Sequence, residues 1–250
     1  MRIFVINLPE ATARRESVER QLHGLGLCYE IIPAIRGNAL SAEATVLNYD
    51  DTGFKRNVGR SANAGELGCA LSHLAIYRII IDQDISHALI LEDDAWLNPN
   101  LPQLLQAIEQ KYSPDQTNVF LLSWATAVST NNLVTLWASY RVARVRSAVC
   151  THGYVVSNAA ASALIRALFP VRHIADCFAW LRRHRIVNLL AIIPNCITLD
   201  QSHESAITRC IPVQDAKRTV IKRLAYKVYR AWWLGVDYGC ALMRRFGIIA

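Results

Sequence analysis

The sequence has 250 residues, of which 52% are hydrophobic and 19% are charged, and its formal net charge is +7. This length can bury a large core, and this composition excludes a chain that is mostly disordered. The seven cysteines are scattered and form no CxxC pair, which argues for free thiols in a reducing compartment rather than a disulfide framework or a zinc site.

Apolar runs alternate with helical stripes along most of the chain. The runs predict buried strands at 3–6, 29–35, 88–91, 118–123, 142–149, 154–157 and 186–193. The stripes predict helices at 10–25, 65–81, 99–111 and 158–168. Residues 38–64 lack periodicity and are predicted to be an irregular loop, of the kind that often covers an active site. The first apolar run, 3–6, is too short for the core of a signal peptide, so we expect synthesis and residence in the cytosol.

Three consecutive carboxylates, Glu92, Asp93 and Asp94, follow the apolar run 88–91. They are predicted to lie at the carboxyl end of a buried strand, where ligands bind in open α/β sheets. Side chains alternate along an extended chain, so Glu92 and Asp94 should point to one side and Asp93 to the other. The pattern favours a divalent metal site over a solvated acidic turn or a helix N-terminus at residues 98–100.

Other candidate residues carry more than one interpretation each. Arg14 and Arg15, near the start of the first predicted helix, can hold a phosphate or an acidic neighbour, or can form a solvated face. His73 is expected to be a hydrogen-bonded core residue, with a place in the site as the alternative. Asp176 stands alone in an apolar neighbourhood, so it must be paired, solvated by a cleft, or raised in pKa as a general base requires.

The C-terminal segment is strongly basic. Residues 217–250 hold eight cations and one acid, Asp237, whereas residues 1–216 hold 19 residues of each sign. Aromatic and aliphatic residues, including Trp232 and Trp233, interleave with these cations, as in helices that lie at an anionic membrane surface. A nucleic-acid patch and a helix packed on the core are the alternatives, and the apolar stretch at 231–243 is too short to span a membrane.

Several ordered segments together resemble glycosyltransferase family 25, which includes bacterial lipooligosaccharide galactosyltransferases and collagen galactosyltransferase domains. These segments are VINL at 5–8 with Arg14 and Arg15, LGL at 25–27, AIRG at 34–37, GELGCALSH at 65–73 and LEDD at 91–94. GYVVS at 153–157, Asp176, Pro194 and residues 201–207 follow in the expected order, so the resemblance spans about residues 1–207.

This resemblance implies an α/β, GT-A-like (Rossmann-like) nucleotide-sugar-binding fold with a central mixed, mainly parallel sheet, expected over residues 1–210. The composition predicts that a basic helical tail follows at 211–250. The resemblance also implies an inverting, metal-dependent transfer of a hexose, expected to be galactose, from a UDP-sugar. Asp94 and Glu92 would bind Mn²⁺ or Mg²⁺, with His203 as a further ligand, and Asp176 would be the general base. The UDP-sugar donor would be held by Asn7, Leu8, Arg14, Arg15, Glu92 and Asp93.

The expected acceptor is a lipid-linked oligosaccharide of lipopolysaccharide or lipooligosaccharide, reached by a cytoplasmic enzyme whose tail binds the inner face of the membrane; nucleic acid is not an expected partner. Two other classes remain open at this point. A metal-dependent phosphotransferase or nuclease could use the same acids, although such a site normally gathers further acids from other strands. A non-catalytic membrane-associated protein would explain the tail but not the acidic strand end.

Overall fold

The computed structural model describes residues 1–148 and 151–200. The expected metal ligand His203 and the basic segment 211–250 lie outside these described residues.

Helices and strands alternate along the described chain. The first part contains β1 (Arg2–Asn7), α1 (Thr12–Gly24), β2 (Glu30–Pro33), a 3-10 turn (Gly37–Ala39), α2 (Ala42–Asn48), α3 (Asp51–Val58), α4 (Ala64–Asp82), β3 (His87–Glu92) and β4 (Ala95–Leu97). The second part contains α5 (Leu101–Lys111), β5 (Asn118–Leu121), β6 (Ala127–Val128), β7 (Val134–Trp137), β8 (Tyr140–Ser147), β9 (Gly153–Ser157), α6 (Asn158–Leu168), α7 (Phe178–Arg183), β10 (Asn188–Ile193) and β11 (Ile197–Leu199).

Nine of the described strands form one mixed sheet in the order β2-β1-β3-β9-β5-β10-β8-β6, with β7 paired to β8. Strands β2, β1 and β3 are parallel neighbours, as are β5 and β10. Strand β9 runs antiparallel to both β3 and β5, and β8 runs antiparallel to β10. The predicted α/β class with a central mixed sheet is therefore confirmed.

Side chains that alternate along the central strands pack into two separate cores. Phe4 and Ile90 join a core with α4, α6 and α7, whereas Val5 and Leu89 join one with α1 and α5. Strands covered on both faces read as continuous apolar runs, which is why 3–6 and 88–91 are recognisable in the sequence. Helix α4 is long and apolar enough to cross a membrane by length and composition alone, yet 56% of its apolar window is buried inside the fold.

The segment 38–64 differs from the prediction of an irregular loop, because it contains α2 and α3. The Ser41 side chain caps α2 by accepting a hydrogen bond from the Ala44 N–H, and Asp50 caps α3 by accepting one from the Gly53 N–H. Gly59 ends α3 in the left-handed conformation with φ of 87°. Helices of seven and eight residues give too few turns for a periodic apolar stripe, so their capping residues are their clearest sequence signal.

Several chain segments meet at the carboxyl edge of β3. Ile6 at the end of β1 pairs with Glu92, and Leu91 pairs with Gly153 at the start of the antiparallel β9. The Glu92 N–H donates to the His152 carbonyl at 3.1 Å, so the residues before β9 lie beside the three acids. The fold thus gathers residues that are about 60 positions apart in sequence at the edge where a ligand is expected.

Candidate active site

A cavity of about 400 Å³ opens at this edge of the sheet. Its walls come from the loops after β1 and β2, from the first turns of α4 and from all three acids of the 92–94 motif. This volume falls within the range typical of small-molecule sites. Two glycines allow the backbone segments of this wall to lie close together. A Cβ at Gly68 would lie 2.2 Å from the Ile35 carbonyl oxygen, and a Cβ at Gly37 would lie 1.9 Å from the Ala64 carbonyl oxygen.

Asp93 faces the loop after β1. Its carboxylate accepts a hydrogen bond from Asn7 Nδ2 at 2.7 Å and forms an ion pair with Arg14 Nη1 at 3.1 Å. Burial raises the pKa of Asp93, and the nearby Arg14 and Asn7 oppose that rise. Both Arg14 and Asp93 line the cavity, so this buried pair ties the start of α1 to the acidic motif.

Glu92 and Asp94 face away from this pair and share a neighbour, His152. The Nδ1 atom of His152 lies 3.2 Å from Asp94 Oδ1 and 3.6 Å from Glu92 Oε2. Glu92 also accepts a hydrogen bond from the Thr151 hydroxyl. The predicted alternation, with Glu92 and Asp94 on one side and Asp93 on the other, is confirmed by these contacts.

The surroundings of Glu92 keep it ionised. Burial by itself raises the pKa of this carboxyl, but interactions with His152, His73 and Thr151 outweigh burial and hold the pKa well below its usual range. Glu92 is therefore an anion at neutral pH, with no need to lose a proton before it binds a cation.

His73 belongs both to the core and to the cavity wall. It is 3% exposed, and its Nδ1 lies 2.8 Å from the Tyr154 hydroxyl, which in turn lies 2.7 Å from the Tyr77 hydroxyl. Its Nε2 faces Glu92 Oε1 at 3.5 Å and has no hydrogen-bond partner among the described residues. His73 is therefore a hydrogen-bonded core residue, as favoured from the sequence, and it also faces the candidate site, which was the alternative.

Asp176 lies in the turn before α7 and is partly exposed. Burial raises the pKa of the Cys69 thiol, and the charges of Glu92, Asp176 and Asp94 raise it further. Cys69 lines the cavity, so Asp176 lies within electrostatic reach of the same wall as the acidic motif.

The structure brings most of the sequence-predicted residues together. Leu8, Arg14, Glu92, Asp93 and Asp94 line the cavity, and Asn7 supports Asp93 through its hydrogen bond. Arg15 is not brought to the cavity, because its guanidinium pairs with Glu19 one turn along the exposed face of α1. Its neighbour Arg14 is the arginine that pairs with Asp93 of the acidic motif.

Thr151 and His152 are not among the site residues predicted from the sequence. They precede the glycine of GYVVS, and only the pairing of β9 with β3 carries them to Glu92. A histidine directly before a buried strand is the available signal, but the sequence alone does not show which strand becomes its neighbour.

The donor atoms present fit a divalent cation. Glu92, Asp94 and His152 each offer one ligand atom, and these atoms lie within 4.8 Å of one another. Two carboxylates and one imidazole suit ions such as Mn²⁺, with room left for substrate phosphate oxygens.

Comparison with protein families and curated relatives gives a consistent result. The family model described as "Glycosyltransferase family 25 (LPS biosynthesis protein)" matches residues 1–179. The zebrafish (Danio rerio) protein "Procollagen galactosyltransferase 1" is 30% identical over 178 residues, covering 66% of this chain and 28% of the relative. "Putative glycosyltransferase R655" of Acanthamoeba polyphaga mimivirus is 32% identical over 123 residues, covering 48% of this chain and 37% of the relative. The chain thus spans well under half the length of these relatives.

Two solved structures cover most of the chain at low similarity. "Crystal Structure of A197 from STIV" aligns with a TM-score of 0.41 and 10% identity over 84% of this chain and 98% of that one. The crystal structure of "a glycosyltransferase involved in the glycosylation of the major capsid of PBCV-1" aligns with a TM-score of 0.35 and 12% identity over 81% and 93%.

Proposed function

Because this chain belongs to glycosyltransferase family 25, we propose that it transfers a hexose from a UDP-sugar to a hydroxyl of a glycan acceptor, with inversion at the anomeric carbon. The proposed hexose is galactose, as the name of the zebrafish relative suggests. The proposed acceptor is a growing lipopolysaccharide or lipooligosaccharide, in keeping with the description of the family.

The observation that carries this proposal is the meeting of Glu92, Asp94 and His152 beside a cavity of about 400 Å³. A nucleoside diphosphate leaving group gains negative charge as the glycosidic bond breaks, and a divalent ion such as Mn²⁺ would supply the neutralising charge. Glu92 and Asp94 would bind this ion as carboxylates, and His152 would contribute a neutral imidazole. His203, the ligand proposed from the sequence, lies outside the described residues.

Asp93 and Arg14 have a different role in this proposal. Their largely buried ion pair holds the loop after β1 against the acidic motif. Leu8 would then stay in the cavity wall and Asn7 beside Asp93, where we propose that the donor binds. A preorganised wall of this kind reduces the ordering that donor binding would otherwise require.

Inversion by a single displacement requires one base to accept the proton of the acceptor hydroxyl. We assign this role to Asp176, because it is a carboxylate set apart from the acidic motif and its charge reaches the cavity wall at Cys69.

The proposal is tested by Asp94→Ala, assayed for hydrolysis of a panel of UDP-sugars with and without Mn²⁺. Loss of one carboxylate from the metal site should abolish metal-dependent turnover while the fold stays intact, since Asp94 is partly exposed at the end of a strand. Asp115→Ala, at an exposed carboxylate before β5, is the matched control and should behave as the wild type. An unchanged rate with an unchanged metal requirement in Asp94→Ala would contradict the proposed site.

Binding of the sugar donor distinguishes a glycosyltransferase from a metal-dependent phosphotransferase or nuclease and from a non-catalytic membrane-associated protein. UDP-sugar together with Mn²⁺ should raise the melting temperature more than either alone. Stabilisation by nucleoside triphosphate or by nucleic acid, without an effect of UDP-sugar, would favour a phosphotransferase or nuclease instead.

Asp176→Asn tests the assignment of the base. The variant should bind donor normally but turn over at least about 10²-fold more slowly, because an amide cannot accept the hydroxyl proton. The measurements are the affinity for UDP and the rate of transfer to an acceptor. If donor affinity falls instead, Asp176 belongs to the donor site.

We also propose that the enzyme works at the cytoplasmic face of the inner membrane. A lipid-linked acceptor is held at that surface, and the basic, aromatic composition of residues 217–250 suits an anionic leaflet. This segment lies outside the described residues.

A further inference from the structure

Cys69 and His73 occupy one face of α4, four residues apart, and both line the cavity. This spacing places two side chains one above the other on a helix. The Cys69 Sγ, a ring nitrogen of His73 and a carboxylate oxygen of Glu92 all lie within 4.8 Å of one another. The absence of a CxxC pair argues against a zinc site in the sequence, but the fold brings these three ligands together from α4 and β3.

The His73 ring is held in place by a chain of two hydrogen bonds. The Tyr154 hydroxyl occupies its Nδ1, and the Tyr77 hydroxyl holds Tyr154 in turn, so the ring orientation is fixed. When Nδ1 carries the proton and donates to Tyr154, the lone pair lies on Nε2. That atom is buried, lacks a hydrogen-bond partner among the described residues and faces Glu92. Ligating histidines commonly hold their second nitrogen in such a hydrogen bond.

We propose that Cys69, His73 and Glu92 form a binding site for a thiolate-seeking divalent cation such as Zn²⁺. Thiolate, imidazole and carboxylate are the three ligand types of zinc sites, and three protein ligands leave a fourth position open, here toward the cavity. The thiol proton of Cys69 is released to solvent when the cation binds.

This site is distinct from the set formed by Glu92, Asp94 and His152. Glu92 Oε1 faces His73, whereas Glu92 Oε2 faces His152. The two sets share Glu92, and only the Cys69 set contains sulfur. The inference does not depend on the proposed transferase reaction, because it concerns cation binding alone.

Titration of the full-length, reduced protein with Co²⁺ tests the proposal, since Co²⁺ replaces Zn²⁺ and gives a near-ultraviolet thiolate-to-metal absorption band. The wild type should show this band with one equivalent of Co²⁺ bound through Cys69. Cys69→Ser should lose the band and bind Co²⁺ at least about tenfold more weakly, because a ligand is removed. Cys28→Ser, at an exposed cysteine outside the cavity lining, is the matched control and should keep the band.

A second measurement keeps the test independent of the absorption band. Zn²⁺ should raise the melting temperature of the wild type and of Cys28→Ser by more than that of Cys69→Ser, since a cation bound only to the folded state stabilises it and the variant keeps only the Glu92, Asp94 and His152 set. Far-ultraviolet circular dichroism checks that Cys69→Ser folds. His73→Gln, which keeps polarity but has no ring nitrogen, should weaken Zn²⁺ binding with Cys69 intact. A thiolate band of wild-type intensity in Cys69→Ser, or no band in the wild type, would overturn the proposal.

Discussion

Two neighbouring carboxylates of the acidic motif have opposite electrostatic environments. The pKa of Glu92 is lowered, because contacts with His152, His73 and Thr151 outweigh its burial. The pKa of Asp93 is raised by burial, which Arg14 and Asn7 only partly offset. A carboxylate that stays ionised suits a cation ligand, whereas one fixed by an arginine and an amide suits a structural role. The alternation of side chains along the strand separates these two roles.

His173 is a buried histidine in the connection between α6 and α7, and it makes stability depend on pH. It is 5% exposed, its ring centroid lies 4.2 Å from that of Trp180, and its Nε2 has no hydrogen-bond partner among the described residues. Burial lowers its pKa from 6.5 to about 4, and electrostatic interactions with His184 and Arg172 act in the same direction. The folded state therefore prefers the neutral ring.

This shift predicts a loss of stability in mild acid. Between pH 6.5 and about 4 the unfolded chain binds a proton at His173 that the folded chain excludes, so the free energy of unfolding falls as the pH decreases. His173→Phe keeps an aromatic ring beside Trp180 but cannot titrate, and should show a shallower fall over this range. Urea unfolding at several pH values measures the effect. His23→Phe, at an exposed histidine, should keep the wild-type slope, and equal slopes in His173→Phe and the wild type would contradict the assignment.

At the scale of single elements, the long strands and helices are predictable from the sequence and the short ones are not. Strand β3 and helix α4 have enough apolar residues in a regular pattern to be recognised, and α4 also begins with a capping box between Asn63 and Glu66. Helices α2 and α3 escape prediction because only Gly53 and Phe54 of their residues are buried. Strands β6 and β7 are short and lie at the edge of the sheet, with β6 half-buried and β7 mostly exposed, so they carry no strong pattern.

From the residue pattern alone the acidic motif is the most readily predicted part of the candidate site, and the family resemblance adds Asn7, Leu8 and Arg14. The acidic motif can be found because it continues a recognisable strand. Thr151, His152 and Cys69 cannot be assigned to the same site, because strand pairing and helix packing bring them together. Such contacts depend on the sheet order, in which β9 lies between β3 and β5.

Helix α4 lies close to the backbone of the loop after β2 at Gly68, and this contact predicts an effect of Gly68→Ala. The added Cβ would lie 2.2 Å from the Ile35 carbonyl oxygen and 2.8 Å from the Gly37 N atom, both of which are backbone atoms that cannot simply rotate away. Overpacking of this kind typically costs about 1–3 kcal/mol, more than the roughly 1 kcal/mol that alanine gains over glycine in a helix. The loop at Ile35–Gly37 should shift, so UDP affinity should fall together with stability.

Gly24→Ala is the matched control, since Gly24 also lies in a helix but a Cβ added there would meet no other part of the fold within 4 Å. This substitution should be neutral or slightly stabilising, by about 0.4–1 kcal/mol. Urea unfolding and titration with UDP measure both variants. A Gly68→Ala protein with wild-type stability and wild-type UDP affinity would show that α4 can move without disturbing the cavity.

At the scale of the whole molecule, the division of charge separates a neutral body from a basic C-terminal segment. Residues 1–216 hold equal numbers of acidic and basic residues, and residues 217–250 hold eight cations and one acid. A transferase whose acceptor is anchored in a membrane gains from staying at that surface. Sugar transfer by residues 1–216 and membrane attachment through residues 217–250 should therefore be separable by mutation.

Tail substitutions provide the test with the chain kept at full length. Replacing Lys222, Arg223 and Lys227 by Gln removes three charges, each worth about 1 kcal/mol near anionic lipid, so binding to phosphatidylserine vesicles should weaken by at least about tenfold. Added salt should weaken wild-type binding in the same way, because it screens exposed charges, while the apolar contribution of Trp232 and Trp233 should persist. UDP-sugar hydrolysis in solution should stay at the wild-type rate. Deletion of residues 217–250 should abolish vesicle binding altogether. Aggregation of that truncated protein would instead favour a tail that packs on the core. Equal vesicle binding by the wild type and the triple Gln variant would rule out electrostatic attachment.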